Sequence, residues 1–334
     1  MYHIVDFSYN HAMCKYNDEV CTFNVRKKQK INIMNILARL MRRARWEYYK
    51  WSDFVYKHFC FTPYIMQYDE CIDYINKYHA SIARMGDGEL ICMFGTDLRF
   101  QNSTKELREQ LKKVCMADSN NCLLGIPDAF EHLERYIPVE QSFWKSHFYF
   151  HRRQWYTFLK KGKKYANSYI SRFYGMEYNK QLSEKRISKL MTLWADRDVI
   201  FIEGKDSKLG VGNDMFDNVK SIHRIIAPSK NAFDKYDKLI STAKKVATPN
   251  CLFIIALGPT ATVLAYDLSE AGYQALDMGH FDIEYEWFKM GATSKVPVTG
   301  KFSNEAAILS NTDSEVIGEL KSNIYEQQII ATVL

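Results

Sequence analysis

The sequence predicts an α/β protein built on parallel strands, and three observations carry that reading. After Asp198, short β-rich runs alternate with amphipathic helical stretches, the pattern of strands joined by helical crossovers. The run Leu252-Phe253-Ile254-Ile255 is apolar at consecutive positions, as expected of a strand covered on both faces. Near the other end, Ser81 to Glu89 reads as strand, glycine turn and helix start.

The elements follow in order. Tyr68–Tyr78 has helical spacing, and Ser81–Met85 forms a short strand entering Gly86-Asp87-Gly88, with a helix from near Glu89. Residues 103–196 are rich in Lys, Glu, Tyr and Trp, carry few turn signals after Pro138, and read as mainly helices beside the sheet. Next come strand Val199–Ile202, a loop to Asn213, a helix to Lys220, strand Ile222–Ile226 and a helix Ala232–Val246. Strand Cys251–Ala256, helix Thr260–Ala271 and strand Tyr273–Met278 complete the alternation.

Composition narrows the function classes. With 334 residues, 47% hydrophobic and 25% charged, the chain has a soluble protein's core and is not globally disordered. Its longest apolar stretch, Cys251–Leu257, is too short to span a bilayer, and MYHIVDFSYN lacks the basic-then-apolar order of a secretory signal. Eight cysteines without a C-x-x-C pair suggest reduced thiols in a cytoplasmic protein, with neither a zinc ribbon nor a thioredoxin-like site. A net charge of +6 is too mild to predict nucleic-acid binding.

That charge is concentrated. Arg26, Lys27, Lys28, Lys30, Arg39, Arg42, Arg43 and Arg45 occur without an intervening acid, while Ile33, Ile36, Leu37, Leu40 and Met41 recur at helical spacing. Trp46, Tyr48, Tyr49, Trp51, Phe54 and Tyr56 follow. Such a basic amphipathic helix suits peripheral contact with an anionic membrane face, and equally suits docking of its apolar side on protein.

In parallel sheets ligands sit beyond the carboxyl ends of strands, so the loops there are the candidate site. Arg84-Met-Gly86-Asp87-Gly-Glu89 offers a planar cation, close backbone approach and two carboxylates, or simply a capped turn. The loop Glu203–Asp214, with Gly204, Gly210, Gly212 and Asn213, can wrap a phosphate but is no P-loop. Gly258-Pro259-Thr260 opens a helix, where free N–H groups favour an anion. His280-Phe-Asp282-Ile-Glu284-Tyr-Glu286 is the sharpest. If extended, Asp282 and Glu284 project to one side and share a divalent cation; if helical, they diverge and Asp282 shares a face with Glu286.

Five segments recur in one order over roughly residues 65–300: Arg84-x-Gly-Asp-Gly-Glu89, Gly210-Val-Gly-Asn-Asp214, Asn231-Ala-Phe-Asp-Lys-Tyr236, Leu257-Gly-Pro-Thr-Ala261 and Gly279-His-x-Asp-x-Glu-Tyr-Glu-Trp287. Together they resemble the GT-D type of glycosyltransferase, bacterial sugar transferases with a Rossmann-like domain and an Asp-x-Glu motif. The resemblance implies a Rossmann-like parallel sheet flanked by helices over residues 61–310, with the mainly helical insertion at about 103–196. A basic helical extension precedes it over 1–60, and 311–334 form a C-terminal segment.

It further implies transfer of a hexose from a UDP-sugar to a glycan acceptor, lipid-linked or protein-linked, in surface polysaccharide or glycoprotein assembly. Mn2+ or Mg2+ would be held at Asp282 and Glu284. Arg84, Gly86, Gly210, Gly212, Asn213, Asp214, Gly258, Pro259, Thr260 and His280 would bind substrate. Asp87, Glu89 and Glu286 are the candidate catalytic carboxylates, one of them removing the acceptor's proton. The protein would be cytoplasmic, peripheral at the inner membrane face, with oligomerisation open. The competing reading is a nucleotide- or glycan-binding subunit without catalysis; a phosphotransferase would need an unfamiliar phosphate site. The rings Tyr136, Phe143, Trp144, Phe148, Tyr149, Phe150, Trp155 and Tyr156 serve either as a sugar-stacking platform or as core.

Overall fold

The computed structural model describes residues 24–177, 179–301 and 323–334, with side chains in the first helix from residue 36. The opening MYHIVDFSYN, Cys14, Cys21, the side chains of Arg26, Lys27, Lys28, Lys30 and Ile33, and residues 302–322 lie outside the described residues. The chain divides into two compact units, Met1–Trp51 and Ser52–Leu334. Helix α1 (Asn24–Phe59) realises the basic amphipathic stretch, and its apolar positions Ile36, Leu37, Leu40 and Met41 are exposed.

Residues 52–334 build a sheet of nine described strands: β1 (Tyr64–Ile65), β2 (Ser81–Arg84), β3 (Cys122–Ile126), β4 (Lys164–Asn167), β5 (Asp198–Gly204), β6 (Ser221–Ala227), β7 (Leu252–Ala256), β8 (Gln274–Asp277) and β9 (Ile329–Thr332). Their order is β1-β4-β3-β2-β8-β7-β5-β6-β9, and every pairing is parallel. The helices are α2 (Tyr68–Tyr78), α3 (Asp87–Met93), α4 (Lys105–Met116), α5 (Pro138–Trp155), α6 (Leu182–Met191), α7 (Tyr236–Val246), α8 (Pro259–Glu270), α9 (Phe281–Met290) and α10 (Asn323–Gln328). The expected α/β architecture holds.

Alternation along the strands explains why both faces are coated. Leu252 and Ile254 enter one core cluster with Val199 and Phe201, while Phe253 and Ile255 enter the other with Ile200 and Ile202. Helices α3, α4, α5, α7 and α8 cover the second cluster; α2, α6 and α9 cover the first. Each fully buried Ile or Phe contributes about 2 kcal/mol of apolar transfer, so neither face tolerates a polar slip in register.

Residues 103–196 hold α4, α5 and α6 and also strands β3 and β4, which extend the sheet outward from β2. β3 is five residues buried on both faces, too short for its apolar run to show a period. The helix expected up to Lys220 is a series of turns instead. Gly210 and Gly212 take positive φ, and Phe216 is drawn into an aromatic cluster with Trp194, Phe201 and Phe281.

The topology fixes where a ligand can sit. From β2 the chain runs outward through β3 to β4, re-enters at β5, and returns through β7 and β8 to β2. In such sheets the crevice for a ligand lies outside the carboxyl ends of the strands where their order reverses, and a small cavity lies at the ends of β5, β6, β7 and β8.

Candidate active site

β2 ends at Arg84 and β8 at Asp277, and the two residues lock the strand ends together. The Arg84 guanidinium donates to Asp277 Oδ1 at 2.9 Å, to the Asp277 carbonyl at 2.6 Å and to Ser171 Oγ at 2.8 Å. Asp277 Oδ2 accepts from the Arg84 N–H at 3.2 Å and from Thr262 Oγ1 at 3.3 Å. Burial pushes the Asp277 carboxyl upward, and Arg84 opposes that shift. Gly279, at φ 54°, lies so close that a Cβ there would stand 2.4 Å from Arg84 Nη2. Arg84 is therefore a tie between elements.

Beyond Arg84, Gly86 leads into α3, which places Asp87 and Glu89 in its first turn. Glu89 Oε2 accepts the Gly86 N–H at 2.9 Å, satisfying an amide that the helix leaves open. Burial, and then the neighbouring Asp277 charge, push the Glu89 carboxyl up to about 7. A carboxyl titrating there is suited to accept or deliver a proton near neutrality.

The acidic motif is helical. In α9, Asp282 and Glu284 are two positions apart and point about 200° from one another, so they do not face one ion. Asp282 turns to the loop after β5: Oδ1 accepts from Gly210 N at 3.0 Å and Asn213 Nδ2 at 2.9 Å, and Oδ2 meets Lys301 Nζ at 2.8 Å. Glu286 shares that face, at 2.7 Å from both Asn213 Nδ2 and Lys301 Nζ. Glu284 instead receives the N–H groups of Tyr174 and Gly175 at 3.2 and 2.6 Å and pairs with Arg172 at 3.3 Å. Both carboxylates of the expected Asp282–Glu284 metal pair are fully buried, Asp282 against Lys301 and the Gly210 N–H, and Glu284 against Arg172 and the N–H groups of Tyr174 and Gly175. Among the described residues no three His, Cys, Asp or Glu side chains gather as a metal site. The donor set does not fit Mn2+ or Mg2+ at that pair.

The same contacts place the loop residues against α9. Gly210 and Asn213 hold α9, and Asp214 accepts from Tyr285 Oη at 2.7 Å and Lys289 Nζ at 3.2 Å. Gly212, at φ 83°, shapes the turn between them. Behind the loop, Glu203 pairs with Arg224 at 2.5 Å and accepts Leu209 N at 2.7 Å, both side chains buried.

Gly258 lines a small cavity, and Pro259 and Thr260 follow it as buried residues of the helix start. Gly258 adopts φ 53° and ψ −139°, and a Cβ would fall 2.4 Å from the Phe100 ring. Pro259 opens α8, and Thr260 Oγ1 reaches Gln101 Oε1 at 3.2 Å. Gly258 and His280 line one small cavity with Gly204, Ser207, Pro228 and Phe100, at the ends of β5, β6, β7 and β8. A larger cavity of about 390 Å³ lies by Tyr174, Gly175, Lys180, Trp287 and Lys295. Of the eight aromatic rings, Tyr136, Trp144, Phe148 and Trp155 are buried in the core and Phe143 is exposed, and burial pushes His147 among them down to about 3.

Sequence reading missed Asp277, Lys301 and Arg172. Asp277 had a signal, a carboxylate closing an otherwise apolar strand; Lys301 and Arg172 lie in segments without a period.

Comparison with known proteins agrees with this architecture. The family model for the glycosyltransferase GT-D fold matches residues 82–306. A probable glycosyl transferase Gly of Streptococcus gordonii is 38% identical over 271 residues, 80% of this chain and 39% of that protein. Glycosyltransferase GlyD of Streptococcus pneumoniae serotype 4 is 38% identical over 267 residues, 80% of this chain and 32% of that protein. The chain thus spans well under half the length of either relative. A solved structure described as a domain of unknown function with a distinct glycosyltransferase fold superposes with TM-score 0.76 at 38% identity, covering 81% of this chain and 95% of that one. A new glycosyltransferase from Streptococcus sanguinis gives TM-score 0.77 at 36% identity, covering 82% and 100%. With its motifs, its parallel sheet and these matches in agreement, the chain belongs to the GT-D family of glycosyltransferases.

Proposed function

We propose that this chain transfers a hexose from a UDP-sugar to a glycan acceptor carried on lipid or protein, at the crevice between β5 and β8. The observation that carries this reading is the Gly258 turn: a glycine at positive φ, followed by Pro259 and the amino end of α8, lining a cavity at the strand reversal. Open N–H groups at a helix amino end favour the diphosphate of a nucleotide sugar, and the missing Cβ of Gly258 lets the Phe100 ring close against the turn. Attack by an acceptor hydroxyl on the anomeric carbon forms the new glycosidic bond and breaks the bond to the diphosphate, releasing UDP. The acceptor's proton passes to a carboxylate, for which Glu89, titrating near neutrality, is best suited.

No step is routed through a divalent ion, since Asp282 and Glu284 diverge. If binding nucleotide needs Mn2+, α9 must rearrange on binding. UDP would then raise the melting temperature only with Mn2+ present.

Incubating the purified chain with UDP-glucose, UDP-galactose and their N-acetyl forms tests the proposal. One donor should be slowly hydrolysed to UDP and free sugar. Gly258→Ala, strained at positive φ and directed into Phe100, should weaken UDP binding at least about tenfold. UDP binding without turnover across donors and acceptors would instead favour a recognition subunit. Absence of both binding and turnover would defeat the assignment.

A further inference from the structure

Helix α1 carries exposed apolar side chains. Ile36, Leu37, Leu40, Met41, Tyr48 and Trp51 are between 43% and 71% exposed. At ~100° per residue these six positions fall within an arc of about 140°. Arg39, Arg42, Arg43, Arg45 and Lys50, all exposed, lie outside that arc together with the exposed Trp46, while Glu47, the only acid from Arg26 to Trp51, falls inside it between Ile36 and Leu40. This is a mainly apolar stripe, interrupted by one acid and bordered by cations, with aromatic rings toward one end.

Two observations narrow its occupant. Two copies packed stripe to stripe would bring their arginine rows side by side with a single acid each, so like charges oppose self-association. Among the described residues no helix is long and apolar enough to cross a membrane, so α1 does not insert through one. A surface supplying anionic phosphate above an acyl layer meets both halves of the helix at once. The stripe enters the acyl boundary, the guanidinium groups meet the phosphates, and Tyr48 and Trp51 settle at headgroup depth. We propose that α1 between Ile36 and Trp51 is an in-plane anchor to a bilayer rich in anionic phospholipid.

Full-length protein is sedimented with vesicles of phosphatidylcholine alone and of phosphatidylcholine mixed with phosphatidylglycerol, at low and high salt. The expected result is pelleting with the anionic vesicles only, released by salt. The quadruple change Arg39→Gln, Arg42→Gln, Arg43→Gln and Arg45→Gln should weaken partition about fivefold per arginine removed. Leu40→Asp with Trp51→Asp should abolish pelleting by opposing entry of the stripe. Circular dichroism checks that the variants keep their helix, and the salt series on unaltered protein is free of any folding concern. Equal pelleting with neutral vesicles, salt-insensitive binding, or undiminished binding of the quadruple variant would overturn the anchor. So would a dimer in vesicle-free velocity sedimentation that Leu40→Asp disperses.

Discussion

Lys301 holds two carboxylates at once, and that makes it the most consequential single side chain near α9. Its ammonium is 2.8 Å from Asp282 and 2.7 Å from Glu286, and its side chain is 1% exposed. Removing one partner of a buried pair leaves the other charge without compensation, which costs about 3–5 kcal/mol. Lys301→Met should therefore lower unfolding stability by that amount in a urea titration. The double variant with Asp282→Asn should recover most of the loss; equal stability of all three proteins would show that the contact carries no energy. Glu89 makes a prediction of a different kind. Its carboxyl titrates at about 7 in the folded protein against an ordinary 4.5, so the folded state binds the extra proton between those values. The stability this group contributes is complete below about pH 4.5 and is lost as pH rises through about 7. Glu89→Gln should flatten the pH dependence of the urea midpoint in that window. If Glu89 is the base, the hydrolysis rate of the unaltered protein should rise through the same pH range, because only the ionised form accepts a proton.

At the scale of the element, α9 shows where the sequence was legible and where it was not. Phe281, Ile283, Tyr285 and Trp287 alternate with Asp282, Glu284 and Glu286, the period of a half-buried strand. The segment is nevertheless a helix, because it is enclosed on every side: Asp282 and Glu284 are as buried as Phe281. A helix whose acids all find internal partners loses the polar face by which a helix is recognised. The helical alternative did foresee that Asp282 would share a face with Glu286. The central strands were read correctly, since fully covered runs such as β7 leave an unbroken apolar signature. Strand β4, Lys-Tyr-Ala-Asn, is too brief and too polar to leave one. α9 stops at Gly291, which caps it at φ 63° with nothing nearby for a Cβ to strike. Gly291→Ala tests the backbone alone and should cost about 1 kcal/mol, read as a lowered urea midpoint.

For the whole molecule, the match to the GT-D fold lies within residues 82–306, and the two core clusters belong entirely to residues 52–334. A chain beginning at Ser52 should accordingly unfold at the same urea midpoint as the full protein, keeping the Asp53–Arg152 pair and the Tyr56–Tyr156 ring contact. A marked fall in the midpoint would mean that the first unit contributes to the cores. The anchor proposed for α1 and the transfer proposed at the crevice can thus be tested separately, one by vesicle binding and the other by donor hydrolysis. The all-parallel sheet bears on how the chain is made. β9 pairs with β6 although α7, β7, α8, β8 and α9 are synthesised between them. Until residues 329–332 leave the ribosome, the outer margin of β6 displays bare peptide groups, a template for pairing with a neighbouring nascent chain. Messages truncated before that point should yield product that aggregates rather than product that is merely less active.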